Sequence, residues 1–179
     1  MNDLYAQAVS RSDLRQLAYI MRKEFGYLDI WYVPVDKMLD QMYDKFEGYS
    51  YEIVPDEEWE DKTAHASTDI LEGTISIRES IYLRACDGEG RDRMTIVHEI
   101  AHYILVCVMG IKLYRRMGKS VESYNDPEWQ AKCLAGEFLI PYYKLKELDK
   151  LPSSKEITKL CGVSLDAAKY QRGCYAGGD

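Results

Sequence analysis

Apolar residues recur at intervals of three and four along much of this chain, which is the spacing of one face of an α-helix. One such stretch runs from Ser12 to Phe25, with Leu14, Leu17, Ala18 and Met21 at helical spacing, and another runs from Val35 to Tyr43. Both stretches predict helices that pack one side against a core.

Two further helices are predicted in the second half of the chain, each with a polar residue at its start. The first begins with Asp92 as N-cap and ends at Gly110, a residue type that is common at helix ends. The second begins at Asp126, is followed by Pro127 in its first turn, and ends near Pro141. The apolar stripe of the first of these helices consists of Met94, Val97, Ala101, Ile104, Leu105 and Val108.

Three short segments between the helices are typical of β-strands. They are Gly48–Val54, about Thr63–Asp69 and Gly73–Ile77, with Glu72 and Gly73 suited to the turn between the last two. Long helices packed on a small antiparallel sheet predict an α+β fold.

The length and composition are those of an ordinary globular protein. The 179 residues can bury one core, so we expect a single domain over 1–179. The net charge of −7 argues against general nucleic-acid binding, and the longest apolar stretch is too short to span a bilayer. No secretory leader pattern is present, and the five cysteines form no C-x-x-C pair, so we expect a reducing, cytoplasmic setting.

The predicted helix after Asp92 contains the pattern H-E-x-x-H, formed by His98, Glu99 and His102. Four residues of α-helix turn by about 400°, so the two imidazoles share a face and can bind one tetrahedral zinc ion per chain. Glu99 then lies beside the metal without binding it, where it can take a proton from metal-activated water and pass it to a leaving amine. Two packed histidines are the alternative interpretation, but such groups are costly in a buried helix unless something uses them.

A third protein ligand is expected on the helix after Asp126, where two glutamates compete for the role. Glu128 shares a face with small residues, which would let this helix pack closely on the first. Glu137 lies nine residues later, about 180° around the helix, so only one of the two can point at the metal. We predict Glu128 as the ligand and Glu137 as a solvated or ion-paired side chain. A carboxylate that merely stabilises the helix start is the alternative for Glu128.

These residues resemble the ImmA/IrrE family of zinc metallopeptidases. The resemblance rests on Met94–Leu105 and on Glu128–Ala131 together with Phe138–Pro141. Looser matches extend it over about residues 12–173, and these are Val33–Asp36, Gly73–Ile77 and Ile157–Ser164 with Ala167, Ala168 and Arg172. Cys133 and Leu134 depart from the family pattern, which more often has a small polar and an aromatic residue there, and the spacing to Arg172 is loose.

The resemblance implies both an architecture and a function. The architecture is a zincin-like fold, in which an active-site helix and a glutamate helix pack on a small, mainly antiparallel sheet, with C-terminal helices. N-terminal helices would occupy about 1–47, the sheet and zinc-binding core 48–150, and a C-terminal helix pair 151–179. Similar proteins are often encoded on phages or mobile elements, and they cleave a cognate helix-turn-helix transcriptional repressor. The implied activity is that of a zinc metalloendopeptidase with a specific protein substrate.

In this fold type, the strand nearest the metal helix can bind an extended peptide as an added strand. The candidate for that edge strand consists of Thr74, Ile75, Ser76, Ile77 and Arg78. A further donor should stabilise the oxyanion. We assign that role to no residue, because a surface or packing role is the better interpretation of both His65 and Tyr103.

Two other functions remain open at this point. A binding or antitoxin-like module could keep the fold and sequester a partner, although it would have no need of Glu99. A broad-specificity peptidase would cleave generic unfolded proteins. The segment Ser154–Tyr175 looks somewhat like a helix-turn-helix, but the acidic net charge favours a helix pair that packs on the core without contacting nucleic acid. Manganese or iron could replace zinc at a site of this type, and the oligomeric state is open.

Overall fold

Helices and short strands follow one another in separate runs in the computed structural model, which describes residues 4–61, 63–115 and 122–176. The helices are α1 Arg11–Glu24, α2 Val35–Lys45, α3 Glu79–Cys86, α4 Gly90–Tyr103, α5 Pro127–Leu139, α6 Tyr142–Lys146, α7 Ser154–Cys161 and α8 Leu165–Ala176. The strands are β1 Leu4–Ala6, β2 Ser50–Val54, β3 Ala66–Asp69, β4 Thr74–Arg78 and β5 Leu113–Arg115. The predicted α+β class is confirmed. Residues 177–179 of the expected C-terminal segment lie outside the described residues.

The start of α1 is fixed by a reciprocal cap. Ser10 Oγ accepts a hydrogen bond from the backbone N–H of Asp13, and the Asp13 carboxylate accepts one from the N–H of Ser10. This capping box satisfies two helix-end donors. Of the four residues predicted on its apolar face, Leu14, Ala18 and Met21 are buried, whereas Leu17 is partly buried against the core. The apolar face of α1 packs against α5, which is the most completely buried helix near the centre of the fold.

The three-stranded sheet has the order β2-β4-β3, so β4 is its middle strand. β3 pairs antiparallel with β4, as the turn at Glu72 and Gly73 predicted, whereas β2 pairs parallel with β4. The parallel pairing of β2 departs from the small, mainly antiparallel sheet that was predicted, whereas the pairing of β3 agrees with it. The chain after β2 crosses to the far edge of the sheet before the hairpin returns β4 to the centre. The short β1 and β5 form a separate antiparallel pair.

The middle position of β4 also corrects the predicted substrate edge. The segment Thr74–Arg78 has β2 on one side and β3 on the other, so its main-chain groups are already used in two ladders. A peptide cannot add to such a strand, because addition requires an unpaired row of N–H and C=O groups. Within the described residues, the outer strand on the side of α4 is β3.

α4 begins three residues earlier than the sequence predicted, since its N-cap is Glu89 and not Asp92. Glu89 is its N-cap and accepts a hydrogen bond from the N–H of Arg91. Asp92 is instead inside the first turn, where it accepts a 2.6 Å hydrogen bond from Arg84. Gly90 opens the helix in a position where a side chain would overlap the backbone of Val163, so the start of α4 lies directly against the turn before α8.

The α-helical stripe does not continue through the whole predicted helix. Residues Ile104–Val108 form a π-helix, marked by a 2.9 Å hydrogen bond from the N–H of Met109 to the carbonyl of Ile104. The additional residue in this turn rotates the following side chains by about 100° relative to an α-helix. Val108 is therefore 41% exposed, and its predicted place in the buried stripe was wrong. The predicted end at Gly110 is confirmed, since this residue has a φ of 67°.

The C-terminal pair α7 and α8 packs on the core through a buried arginine. Arg93 of α4 is 1% exposed and donates to the carbonyls of Gly162, Val33 and Cys161 at 2.7, 2.9 and 3.3 Å. Its guanidinium also lies over the ring of Tyr32. These contacts satisfy carbonyls at the end of α7 and attach the pair to the helix that contains the H-E-x-x-H pattern. Among the described residues, no helix is long and apolar enough to cross a membrane.

Candidate metal centre

Two histidines of α4 and one glutamate of α5 converge at a partly buried point. His102 Nε2 lies 3.1 Å from His98 Nε2, which in turn lies 3.2 Å from an oxygen of Glu128. The other Glu128 oxygen lies 3.5 Å from His102 Nε2. One ligand atom from each of these three side chains lies within 4.8 Å of the other two, and this is the group of histidine, cysteine or carboxylate side chains with that property among the described residues.

Local structure explains why these three side chains meet. His98 and His102 are one helical turn apart on α4, and their rings meet edge to face with centroids 4.6 Å apart. Asp126 caps α5 by accepting from the N–H of Glu128 at 3.0 Å, which places Glu128 in the first turn. Small buried residues on the two helices allow a close approach, and these are Ala101, Ala131 and Ala135.

The donor set fits a zinc ion. Bonds of about 2.0–2.1 Å at tetrahedral angles separate two ligand atoms by about 3.3 Å. The two imidazole nitrogens lie 3.1 Å apart, and each lies 3.2 or 3.5 Å from one of the two Glu128 oxygens, which is close to that value. Two imidazole nitrogens and a carboxylate are also ligands that zinc accepts. Hydrogen bonds from His102 and then His98 hold the pKa of Glu128 well below its usual range. The site therefore presents an ionised carboxylate beside two imidazole nitrogens.

The second ring nitrogen of His98 differs from that of many metal-binding histidines. Its Nδ1 is buried and has no hydrogen-bond partner among the described residues. Metal-binding histidines often donate their second nitrogen to a carboxylate or carbonyl, which fixes the ring. The contacts of His98 with His102 and Glu128 are made through Nε2 and through the ring face, not through Nδ1.

Glu99 is half-buried, and its carboxylate is held by a residue that the sequence analysis missed. Thr68 of β3 places its hydroxyl 2.7 Å from Glu99 Oε2 and 3.1 Å from the Glu99 backbone carbonyl. The two residues are 31 positions apart, and their contact depends on how β3 lies against α4. No local pattern around Thr68 in the sequence could have indicated it.

The second glutamate of α5 lies in a different environment. The Glu137 side chain is fully buried and accepts hydrogen bonds from Arg11 and Arg15 of α1, each at 3.1 Å. The hydroxyl of Tyr175 lies 2.9 Å from its carboxylate and 2.7 Å from the carbonyl of Ile140, the two acceptors within reach of its single proton. The ion-paired alternative for Glu137 is thus observed and the solvated one is wrong. Burial, and next the charge of Glu137, raise the pKa of Tyr175 well above its usual range.

The remaining candidate residues lie apart from the convergence point. His65 is exposed and outside the ligand group. Tyr103 is buried with its ring 4.9 Å from that of Tyr49, so it packs as expected. Of the predicted strand β4, Ile75 and Ile77 are fully buried in the core.

The fold and this site together define a class of protein. Helices packed on a small sheet, with H-E-x-x-H on one helix and a glutamate on the next, form a zincin-like α+β arrangement. Residues 55–171 match the family described as the IrrE N-terminal-like domain, peptidase family M78, and the chain belongs to this family. The resemblance to ImmA/IrrE proteins is thereby confirmed, and the family implies a peptidase role with a protein substrate. No curated protein matches the chain.

Proposed function

We propose that this protein is a zinc-dependent endopeptidase that cleaves one specific partner protein. The observation that supports this best is the convergence of His98, His102 and Glu128, with Glu99 as the next residue along the helix from His98. Membership of a peptidase family supports the same class of reaction. Three protein ligands leave one position of a tetrahedral ion open, which is typical of catalytic rather than structural zinc.

In the proposed mechanism, the residues of this chain divide into ligands and a proton carrier. His98, His102 and Glu128 would hold the zinc ion, which supplies polarisation of the scissile carbonyl and activation of water. The carboxylate of Glu99 accepts the proton released as water attacks, and then donates it to the nitrogen of the leaving amine. A carboxylate in this role must be ionised at the start and held within hydrogen-bond reach of the reacting atoms.

The substrate would bind in extended form beside β3. This strand lies against α4 and, among the described residues, pairs with β4 alone. Main-chain hydrogen bonds to its outer edge would therefore hold a peptide next to the ligand group. The resemblance to ImmA/IrrE proteins leads us to propose a cognate helix-turn-helix repressor as that substrate.

Metal content tests the ligand assignment. We expect about one zinc ion per chain in the wild type, measured by elemental analysis after exhaustive buffer exchange, and a large loss in His98→Ala and Glu128→Ala. His65→Ala is the matched control, because His65 is exposed and lies outside the ligand group, so it should retain the metal. Equal zinc content in all four proteins would contradict the assignment.

Cleavage tests the reaction and the substrate separately. The wild type and Glu99→Gln are incubated with a helix-turn-helix repressor encoded beside the gene, and in parallel with casein. Cleavage of the repressor alone by the wild type, lost in Glu99→Gln with zinc retained, is the expected result. Cleavage of casein would indicate a broad peptidase. Stable repressor binding without cleavage, unchanged in Glu99→Gln, would indicate a sequestering module instead.

A further inference from the structure

Thr68 contacts Glu99, which is not one of the three candidate metal ligands. It lies on β3 opposite Ile75 of β4, and it shares the inward face of the strand with the buried Ala66. Ser67 and Asp69, its neighbours, are exposed on the other face. A threonine with its hydroxyl toward α4 is thus placed beside Glu99 by the alternation of the strand.

The geometry indicates which acceptor receives the single hydroxyl proton of Thr68. The distance to Glu99 Oε2 is 2.7 Å, which is typical of a hydrogen bond from a hydroxyl to an ionised carboxylate. The distance to the Glu99 carbonyl is longer, at 3.1 Å, and that carbonyl can also be satisfied by the helix ladder of α4. The carboxylate is therefore the acceptor.

The carboxylate of Glu99 needs such a contact if it is to act in one orientation. A glutamate side chain has several rotatable bonds, and it loses conformational freedom when it is held still for a reaction. Among the described residues, Thr68 is the hydrogen-bond donor found at this carboxylate. The turn after β3 is itself fixed, since the Asp69 carboxylate accepts from the N–H groups of Leu71 and Glu72. The hydroxyl is therefore presented from a well-anchored strand.

We propose that Thr68 is a positioning residue that holds the Glu99 carboxylate in the orientation required for proton transfer. This inference rests on the proposed peptidase function. It adds that the outer strand, where the peptide would bind, and the proton carrier are joined by one hydrogen bond. The substrate strand and the base are then aligned by the same element.

The central test replaces the hydroxyl by a methyl group of similar size. Loss of a hydrogen bond to a charged group should lower kcat about ten- to a hundredfold in Thr68→Val, with KM and zinc content unchanged. Thr68→Ser keeps the hydroxyl and should recover most of kcat. Thr68→Ala serves if the valine variant does not fold. The substrate is the repressor or casein, whichever the wild type cleaves.

A matched control exists in the loop before β3. Thr63 also donates its hydroxyl to a carboxylate, that of Asp61, at 2.6 Å, but on the exposed surface. Thr63→Val makes the same chemical change to the same kind of bond, and it should leave kcat as in the wild type. Adding Thr68→Val to Glu99→Gln should cause little further loss of the residual rate, because Thr68 acts through Glu99.

The outcomes distinguish this inference from the proposed function. Full kcat in Thr68→Val or Thr68→Ala, while Glu99→Gln is inactive, would overturn the role of Thr68 and leave the peptidase assignment standing. A serine variant as slow as the alanine variant would also overturn it, as would loss of zinc from Thr68→Val. Wild-type activity in Glu99→Gln, or no cleavage of either substrate by the wild type, would overturn the proposed function and this inference with it.

Discussion

The two glutamates of α5 should respond in opposite ways to the same substitution. Glu137→Gln removes the charge that two arginines and a tyrosine hydroxyl share in the interior. Glu128→Gln removes a charge from a side chain that is 31% exposed and faces two histidines. The chemical change is identical, so a difference between the variants reports on environment alone.

The structure sets the expected magnitudes. Removing one partner of a buried ion pair costs about 3–5 kcal/mol of stability. The Arg11 and Arg15 side chains retain 18% and 15% of their surface exposure, so water can reach them and the lower end, about 3 kcal/mol, is expected for Glu137→Gln. In metal-free protein, Glu128→Gln should change the free energy of unfolding by less than about 1 kcal/mol, as for a solvent-accessible ion pair.

Urea denaturation of chelator-treated protein at neutral pH measures both effects. With an m-value of about 2 kcal/mol per molar urea, the midpoint of Glu137→Gln should fall by about 1.5 M, and that of Glu128→Gln should hardly move. Zinc titration of the same samples should show the reverse pattern, with binding lost in Glu128→Gln alone. A stable Glu137→Gln that no longer binds zinc would refute the reasoning.

Three further outcomes follow from contacts elsewhere in the fold. Gly90→Ala should lower the midpoint temperature of unfolding, because the new Cβ meets the backbone of Val163 and repacking such an overlap costs about 1–3 kcal/mol. Thermal unfolding followed by circular dichroism measures this, and an unchanged midpoint would contradict the close approach. Arg93→Met should destabilise by at least about 2 kcal/mol in urea unfolding, since it leaves buried carbonyls without a donor, and a neutral effect would disprove this account. The side chain of Arg78 and a backbone N–H lower the pKa of Asp56 to about 2. Because this folded pKa lies below the unfolded value of about 3.9, the stabilisation is complete above about pH 4 and is lost as the pH falls through 2, so an NMR titration midpoint near 4 would contradict it.

The sequence could predict the ligand group because its members follow from helical geometry. His98 and His102 need only one turn of one helix, and the choice between Glu128 and Glu137 needs only the angle between them on the next. The strong cap at Asp126 set the phase of that second helix. Ligand binding itself stays a prediction until metal is measured.

Contacts between distant segments could not be predicted in this way. The position of β4 between β2 and β3 depends on where the chain crosses after β2, and the hydrophobic periodicity of the sequence does not indicate that path. The contact of Thr68 with Glu99 could not be predicted from the sequence for the same reason. The π-helix after Tyr103 could not be predicted, because its apolar residues have the spacing of an α-helix although the hydrogen bonding shifts by one residue.

The ion pairs between α1 and α5 limit where this chain could be truncated. The match to the family begins at residue 55, after α1 and α2 have ended. Glu137, inside the matched segment, depends on arginines that lie outside it. A fragment cut at the family boundary would hold a charge in its interior with no counter-ion and an uncovered apolar helix face. We therefore expect the matched segment to be smaller than the unit that folds, and a fusion or truncation should be designed around α1 rather than around residue 55.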